Sequence, residues 1–164
     1  MKKKNGKTRL CIDYRALNKI TARDNYPFPT IEEHINALRG KRYFSLLDLK
    51  DGFRHIDVAE DSIKYTAFVT PFGQYENAVR LKNAPARFQR YVNEVLNDLI
   101  REGNVVVYMD DFLIATDTIK KHFGVLDQVF RLLTQNLLEL RLDKCQFLYT
   151  EIEFLGYVVS EKGV

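Results

Sequence analysis

The tetrapeptide Tyr108-Met109-Asp110-Asp111 stands between two short apolar runs, Val105-Val106-Val107 and Phe112-Leu113-Ile114. Each run is β-branched or aromatic and about strand length, so the pair predicts a hairpin with the carboxylates at its tip. Adjacent carboxylates are costly to hold side by side, because like charges in contact raise one pKa unless a cation offsets them. A divalent-metal site accounts for such a pair. Taken alone, a surface turn accounts for it better, since Asp is among the commonest turn residues. The decision rests with the remainder of the chain.

The chain has 164 residues, the size of one domain with a real core. Hydrophobic residues make up 46% and charged residues 29%, which excludes a disordered chain. The net charge of +3 is compatible with a polyanionic partner but too mild to imply one. Basic residues gather at Lys2, Lys3, Lys4, Lys7 and Arg9, and again at Arg80, Lys82, Arg87 and Arg90; such clusters are most often solvated surface. Cys11 and Cys145 have no metal-type spacing, so a reducing compartment fits. His34, His55 and His122 lie far apart and read as structural or surface residues. No apolar stretch reaches membrane-span length, so no membrane partner is expected. Neither end reads as a natural domain boundary, which points to a piece of something longer.

The local patterns predict strands at 9–13, 43–47 (ending at Asp48), 65–70, 138–142 and 152–160. Pro71-Phe72-Gly73 turns the chain back toward Tyr75. Thr30-Ile31-Glu32-Glu33 fits a capping box opening a helix over 31–39, with Gly40 after it. The longest helix starts at Asn83 as N-cap and ends at Gly103-Asn104, with Pro85 in its first turn and an apolar face of Phe88, Val92, Val95, Leu96, Leu99 and Ile100. A last helix spans 119–136, with Phe123, Leu126, Val129, Phe130, Leu133 and Leu137 expected inward. The simplest architecture is α+β, an antiparallel sheet with helices on one face.

Asp48 is the third carboxylate to weigh, because it ends an apolar strand and precedes Leu49-Lys50-Asp51-Gly52-Phe53. Beside the Asp-Asp hairpin it would complete a cluster of hard oxygen ligands of the kind Mg²⁺ requires. A pair of such ions about 4 Å apart can clamp the attacking and leaving oxygens of a phosphoryl transfer.

The stretches Arg9-Leu10-Cys11-Ile12-Asp13-Tyr14-Arg15-Ala16-Leu17-Asn18-Lys19, Tyr26-Pro27-Phe28-Pro29, Tyr43-Phe44-Ser45 through Asp48 to Gly52-Phe53, and Lys64-Tyr65-Thr66-Ala67-Phe68 follow one another. Asn83-Ala84-Pro85-Ala86-Arg87-Phe88-Gln89, the Tyr-Met-Asp-Asp box and Phe154-Leu155-Gly156-Tyr157 complete the series. In this order they resemble the reverse transcriptase domain of gypsy-type long-terminal-repeat retrotransposon Pol polyproteins, and more distantly that of retroviruses. The resemblance covers nearly the whole chain. It implies an RNA-directed DNA polymerase, with a polymerase palm, part of the fingers and no thumb. Residues 1–164 would form a single domain fragment, with fingers at about 1–42 and 57–83 and palm at about 43–56 and 84–164.

The resemblance also implies roles. Asp48 and Asp110, supported by Asp111, would hold two Mg²⁺ ions, with Mn²⁺ as the alternative ion, while a primer 3′-hydroxyl attacks the α-phosphate of a deoxynucleoside triphosphate. Phe53 would be the steric gate that rejects a 2′-hydroxyl; without the motif it reads as a core aromatic. The N–H groups of Asp51 and Gly52 would cradle the triphosphate. Lys3 and Arg9 would grip its β- and γ-phosphates. Arg15 and Asn18 would touch the template, and Phe154-Leu155-Gly156 would form the primer grip. The implied partners are an RNA or DNA template with primer, deoxynucleoside triphosphates and the remaining Pol domains: thumb, RNase H and integrase. The implied setting is intracellular, in a cytoplasmic virus-like particle or the nucleus.

One segment departs from the pattern. The family's Pro-Phe-Gly before Leu81 is missing, leaving Asn77 to Arg80 about three residues short; an odd shortening reverses which side chains of a strand face the core. The nucleotide pocket is the part this puts in doubt. The competing expectation is a degenerate or domesticated retroelement fragment that binds nucleic acid or protein without catalysis. Lack of a thumb also predicts weak primer-template binding and poor extension by the isolated chain.

Overall fold

In the computed structural model, residues 12–52, 55, 58–76 and 81–163 are described. Lys3, Arg9, Phe53, the altered stretch 77–80 and most of the strand expected at 9–13 lie outside them; Ile12 and Asp13, the described end of that strand, are not in a strand. The elements run α1 (Arg15–Ile20), α2 (Ile31–Ala37), β1 (Tyr43–Asp48), α3 (Glu60–Ile63), β2 (Ala67–Thr70), β3 (Gly73–Glu76), α4 (Ala84–Val95) and α5 (Asn97–Arg101). They continue with β4 (Val105–Tyr108), β5 (Asp111–Thr116), α6 (Ile119–Gln135), β6 (Gln146–Tyr149), β7 (Glu151–Phe154) and β8 (Tyr157–Ser160).

A four-stranded antiparallel sheet in the order β4-β5-β1-β6 is the platform. Alternation along its strands sorts the core. Leu47, Phe112, Ile114, Val105 and Val107 point to one face, where Phe88, Val92, Leu96, Leu99, Val125, Val129 and Leu133 from α4, α5 and α6 cover them. Phe44, Leu113, Ala115 and Val106 point to the other, beneath Leu38 and the β7–β8 hairpin residues Ile152, Phe154 and Val159. The α+β architecture therefore holds, with α4, α5 and α6 on one sheet face, while the β7–β8 hairpin and the end of α2 close the opposite face.

Local chemistry explains most boundaries. Glu33 N–H donates to Thr30 Oγ1 (3.2 Å) and Thr30 N–H to Glu33 Oε2 (2.6 Å), the full capping box of α2. Asn83 precedes α4 but does not cap it with its side chain. Its amide instead reaches back, accepting from Asp24 N–H (3.1 Å) and donating to the Ala22 carbonyl (2.8 Å). Helix α4 breaks at Leu96 before α5 resumes, so the longest helix expected there is two shorter ones, and α6 is the longest among the described residues. The strand expected from residue 65 starts at Ala67, because Lys64–Thr66 form a 3-10 turn closed by Thr66 Oγ1 on the Ile63 carbonyl (2.8 Å).

Three further expectations need correction. Phe123, Phe130 and Leu137 are 57%, 38% and 81% exposed, whereas His122 and Val125 turn inward with Leu126, Val129 and Leu133. The apolar arc of α6 is wider than the stripe the sheet can cover, and residues at its flank stay outside. The strand at 138–142 is only the bridge Leu49↔Leu140, and 152–160 is not one strand but the β7–β8 hairpin turned at Leu155-Gly156, both with positive φ. No helix among the described residues is long and apolar enough to cross a membrane.

Candidate active site

Strand β1 delivers Asp48 at its end, and Asp48 is the Cα partner of Asp111 in the β1–β5 ladder. Tyr108 pairs with Asp111 across the β4–β5 hairpin, so Met109 and Asp110 alone make the turn. Met109 has φ +56°, a conformation that two-residue hairpin turns usually assign to Gly or Asn. Leu49 N–H donates to the Asp110 carbonyl at 2.9 Å, which fastens the turn to the end of β1. The three carboxylates therefore share one corner of the sheet, as the sequence motifs imply.

The corner is electrostatically tense. Burial, then the neighbouring Asp48 carboxylate, pushes the Asp110 pKa up from its usual 3.8, with Arg141 opposing the rise. Asp111 is raised by the same causes in the same order, with Lys144 opposing. Oδ1 of Asp48 and Oδ1 of Asp110 are buried without a hydrogen bond. Two cations answer Asp48: Arg141 Nε lies 3.2 Å from Oδ1 and Lys144 Nζ 3.1 Å from Oδ2. The Arg141 contact is an ion pair without hydrogen-bond geometry, so Oδ1 keeps an open lone pair. Among the described residues no group of three or more His, Cys, Asp or Glu is gathered into a metal-holding arrangement. The donor chemistry nevertheless fits a hard divalent cation: carboxylate oxygens, two of them buried without a hydrogen bond.

Gly52 is buried at the base of this corner. A Cβ there would stand 2.5 Å from Asp110 Oδ1 and 2.6 Å from Phe88 Cζ, so only glycine allows the approach. That reason is additional to the triphosphate cradle expected of Gly52. Asp51 adjoins it with φ +52°.

The other expected site residues lie elsewhere. Arg15 makes a forked pair with Asp13, at 2.6 Å from Nη2 to Oδ2, and holds the Asp13 carboxyl down to about 2. Asn18 Oδ1 accepts from Lys82 N–H at 2.8 Å, tying α1 to the start of α4. Phe154 is buried at the end of β7, 6.3 Å from the His34 ring, which is itself 6.1 Å from Tyr108 beside the turn. The hairpin carrying Phe154, Leu155 and Gly156 thus reaches the β4–β5 hairpin through His34. Sequence reasoning missed Arg141 and Lys144, which approach Asp48 across more than ninety residues and carry no local signature.

The reverse transcriptase (RNA-dependent DNA polymerase) family profile matches residues 1–159. The chain is 42% identical over 161 residues to the retrovirus-related Pol polyprotein from transposon 297 of Drosophila melanogaster, covering 96% of this chain and 15% of that one. It is 35% identical over 164 residues to the transposon Tf2-3 polyprotein of Schizosaccharomyces pombe, covering 98% of this chain and 12% of that protein. The chain therefore spans a small part of the curated relatives it matches. Among solved structures, a foamy viral protease-reverse transcriptase in complex with double-stranded DNA superposes with a TM-score of 0.88 at 30% identity, over 99% of this chain and 29% of that one. The same viral protein with an RNA/DNA hybrid gives 0.85 at 29% identity, over 94% and 21%.

Proposed function

We propose, because this chain belongs to the reverse transcriptase (RNA-dependent DNA polymerase) family, that its Asp48–Asp110–Asp111 corner is the catalytic centre of an RNA-directed DNA polymerase. The observation that carries this is the ladder pairing of Asp48 with Asp111, with Asp110 in the intervening turn and a buried oxygen lacking a hydrogen bond on each of Asp48 and Asp110.

Asp48 and Asp110 would hold divalent metal, Mg²⁺ by choice of ligand type, with Asp111 in support. Bound there, such ions supply charge neutralisation and Lewis acidity to phosphoryl transfer. The chain's own part is positioning: β1 and β5 fix the carboxylates in register, and the absent Cβ of Gly52 leaves Asp110 its place. The N–H groups of Asp51 and Gly52 lie at the end of β1, where a triphosphate would pass close to backbone. Lys3 and Arg9 on its outer phosphates, Phe53 under its sugar, Arg15 and Asn18 on template, and Phe154-Leu155-Gly156 on primer complete the proposed set. The division into fingers (about 1–42 and 57–83) and palm (about 43–56 and 84–164) belongs to the same reading. The substrates are a primed RNA or DNA template and deoxynucleoside triphosphates, and the other Pol domains are the natural partners.

Single-nucleotide addition to a primed RNA template in Mg²⁺, compared with Asp110→Asn, tests the reading. Addition should fall by roughly 10³-fold in the variant, the scale of losing a principal electrostatic contact to the reacting centre. Equal addition by both proteins, with template binding intact, would refute it.

A further inference from the structure

Gln89 is wholly buried on α4, an unusual place for a carboxamide unless every polar atom is answered. Each is. Its Oε1 accepts from Met109 N–H at 2.8 Å, and its Nε2 donates to the Val107 carbonyl at 3.1 Å and to Asn93 Oδ1 at 3.0 Å. The amide orientation is fixed by this pattern, because the flipped amide would set an N–H₂ against the Met109 N–H. Val107 and Met109 flank Tyr108 on the outer edge of β4, so the carboxamide occupies the place of a peptide group from a neighbouring strand. Met109, which it contacts, has a positive φ and stands one residue before Asp110.

The contact continues outward. Asn93 Nδ2 donates to Tyr26 Oη at 2.9 Å. The Tyr26 ring lies under the Arg90 guanidinium at 4.9 Å, and Arg90 pairs with Asp24 at 2.9 Å. A chain of hydrogen bonds thus runs from the extended segment before α2, through α4, to the turn that presents Asp110.

We propose that Gln89 is a positioning residue for Asp110: its carboxamide sets the Met109–Asp110 turn, and the Asn93–Tyr26 relay sets the carboxamide. Gln89 touches no reacting atom, and the proposal rests on Asp110 being a metal ligand.

The test is Mn²⁺ binding to the whole 164-residue chain, followed by electron paramagnetic resonance, in wild type, Gln89→Met, Asn93→Ala, Asp110→Asn and Val129→Ala. Gln89→Met keeps the volume and loses the hydrogen bonds. Val129→Ala is a truncation of a fully buried core residue on α6, outside the hydrogen-bond chain to the turn, that controls for general destabilisation. Gln89→Met should weaken Mn²⁺ binding about 10- to 100-fold, the usual cost of an outer-shell change, with Asn93→Ala between it and wild type and Val129→Ala unchanged. Wild-type affinity in Gln89→Met overturns the proposal, as does equal weakening in Gln89→Met and Val129→Ala, which would mark a merely structural role. Absence of any Asp110-dependent Mn²⁺ binding in wild type also overturns it, and that result alone takes the metal-site reading down with it.

Discussion

Asp48 and Asp111 close the β1–β5 ladder as its last Cα pair, which leaves two carboxylates facing each other where the sheet ends. Arg141 and Lys144 both turn toward Asp48, so positive charge from outside the sheet stands in the corner. Truncating the guanidinium as Arg141→Ala should cost about 1–2 kcal/mol in EDTA, since a largely buried carboxylate loses one of two partners. The cost should shrink in saturating Mn²⁺, which can answer the same oxygen. Urea unfolding with and without the ion measures this; an identical cost in both conditions would show that Arg141 and the ion do not share Asp48.

Gly52→Ala places a methyl group 2.5 Å from Asp110 Oδ1 and 2.6 Å from Phe88 Cζ. Phe88 is fully buried in the core, so the expected relief is a shift of the Asp110 carboxylate. Overpacking of this kind costs about 1–3 kcal/mol in folding. The activity loss should be larger in proportion, roughly 100-fold, because small misplacements at a reacting centre carry such penalties. Thermal unfolding and nucleotide addition on the same variant check both; full activity would mean that Asp110 is not held by this contact.

Much of this corner was legible in the sequence, and the reasons are specific. Strands β1, β4 and β5 follow from apolar runs of strand length, and the Asp-Asp hairpin from the tip between them. The capping box at Thr30 and Glu33 is a local rule and was readable as such. Asn83 was not, because its side chain answers Asp24 and Ala22 some sixty residues away and not its own helix. The outward turn of Phe123 and Phe130 depends on how much of α6 the sheet covers, which periodicity alone leaves open. Gln89, Arg141 and Lys144 escaped for the same reason: each acts on a residue distant in sequence. The order of the motifs carried the functional reading, and Gln89 stood inside one of them without a visible task.

His122 predicts a pH dependence. Thr116 Oγ1 can donate to the Thr118 carbonyl (3.2 Å), so His122 Nδ1–H donates to Thr116 (3.0 Å). Nε2 is then left to accept from Ser45 (2.7 Å), whose oxygen also accepts from Leu148 N–H (2.9 Å). The network suits a neutral ring, and burial lowers the pKa of His122 below its usual 6.5; His34 is lowered by burial too. Between the folded and unfolded values the unfolded chain binds more protons, so stability rises with pH there. It is fully present above about 6.5 and is lost as pH falls toward the lower folded values. His122→Gln should flatten part of this slope in urea midpoints taken from pH 5 to pH 7.5, leaving the share due to His34. An unchanged slope would remove His122 as a source.

Diffraction from crystals of the chain grown with Mn²⁺, read at the manganese absorption edge, tests the proposed metal site at the carboxylate corner directly. The expected result is an anomalous peak between the Asp48 and Asp110 carboxylates, with Arg141 or Lys144 drawn away from Asp48. A map with no peak in that corner at saturating Mn²⁺, and Asp48 still paired to both cations, would contradict the assignment.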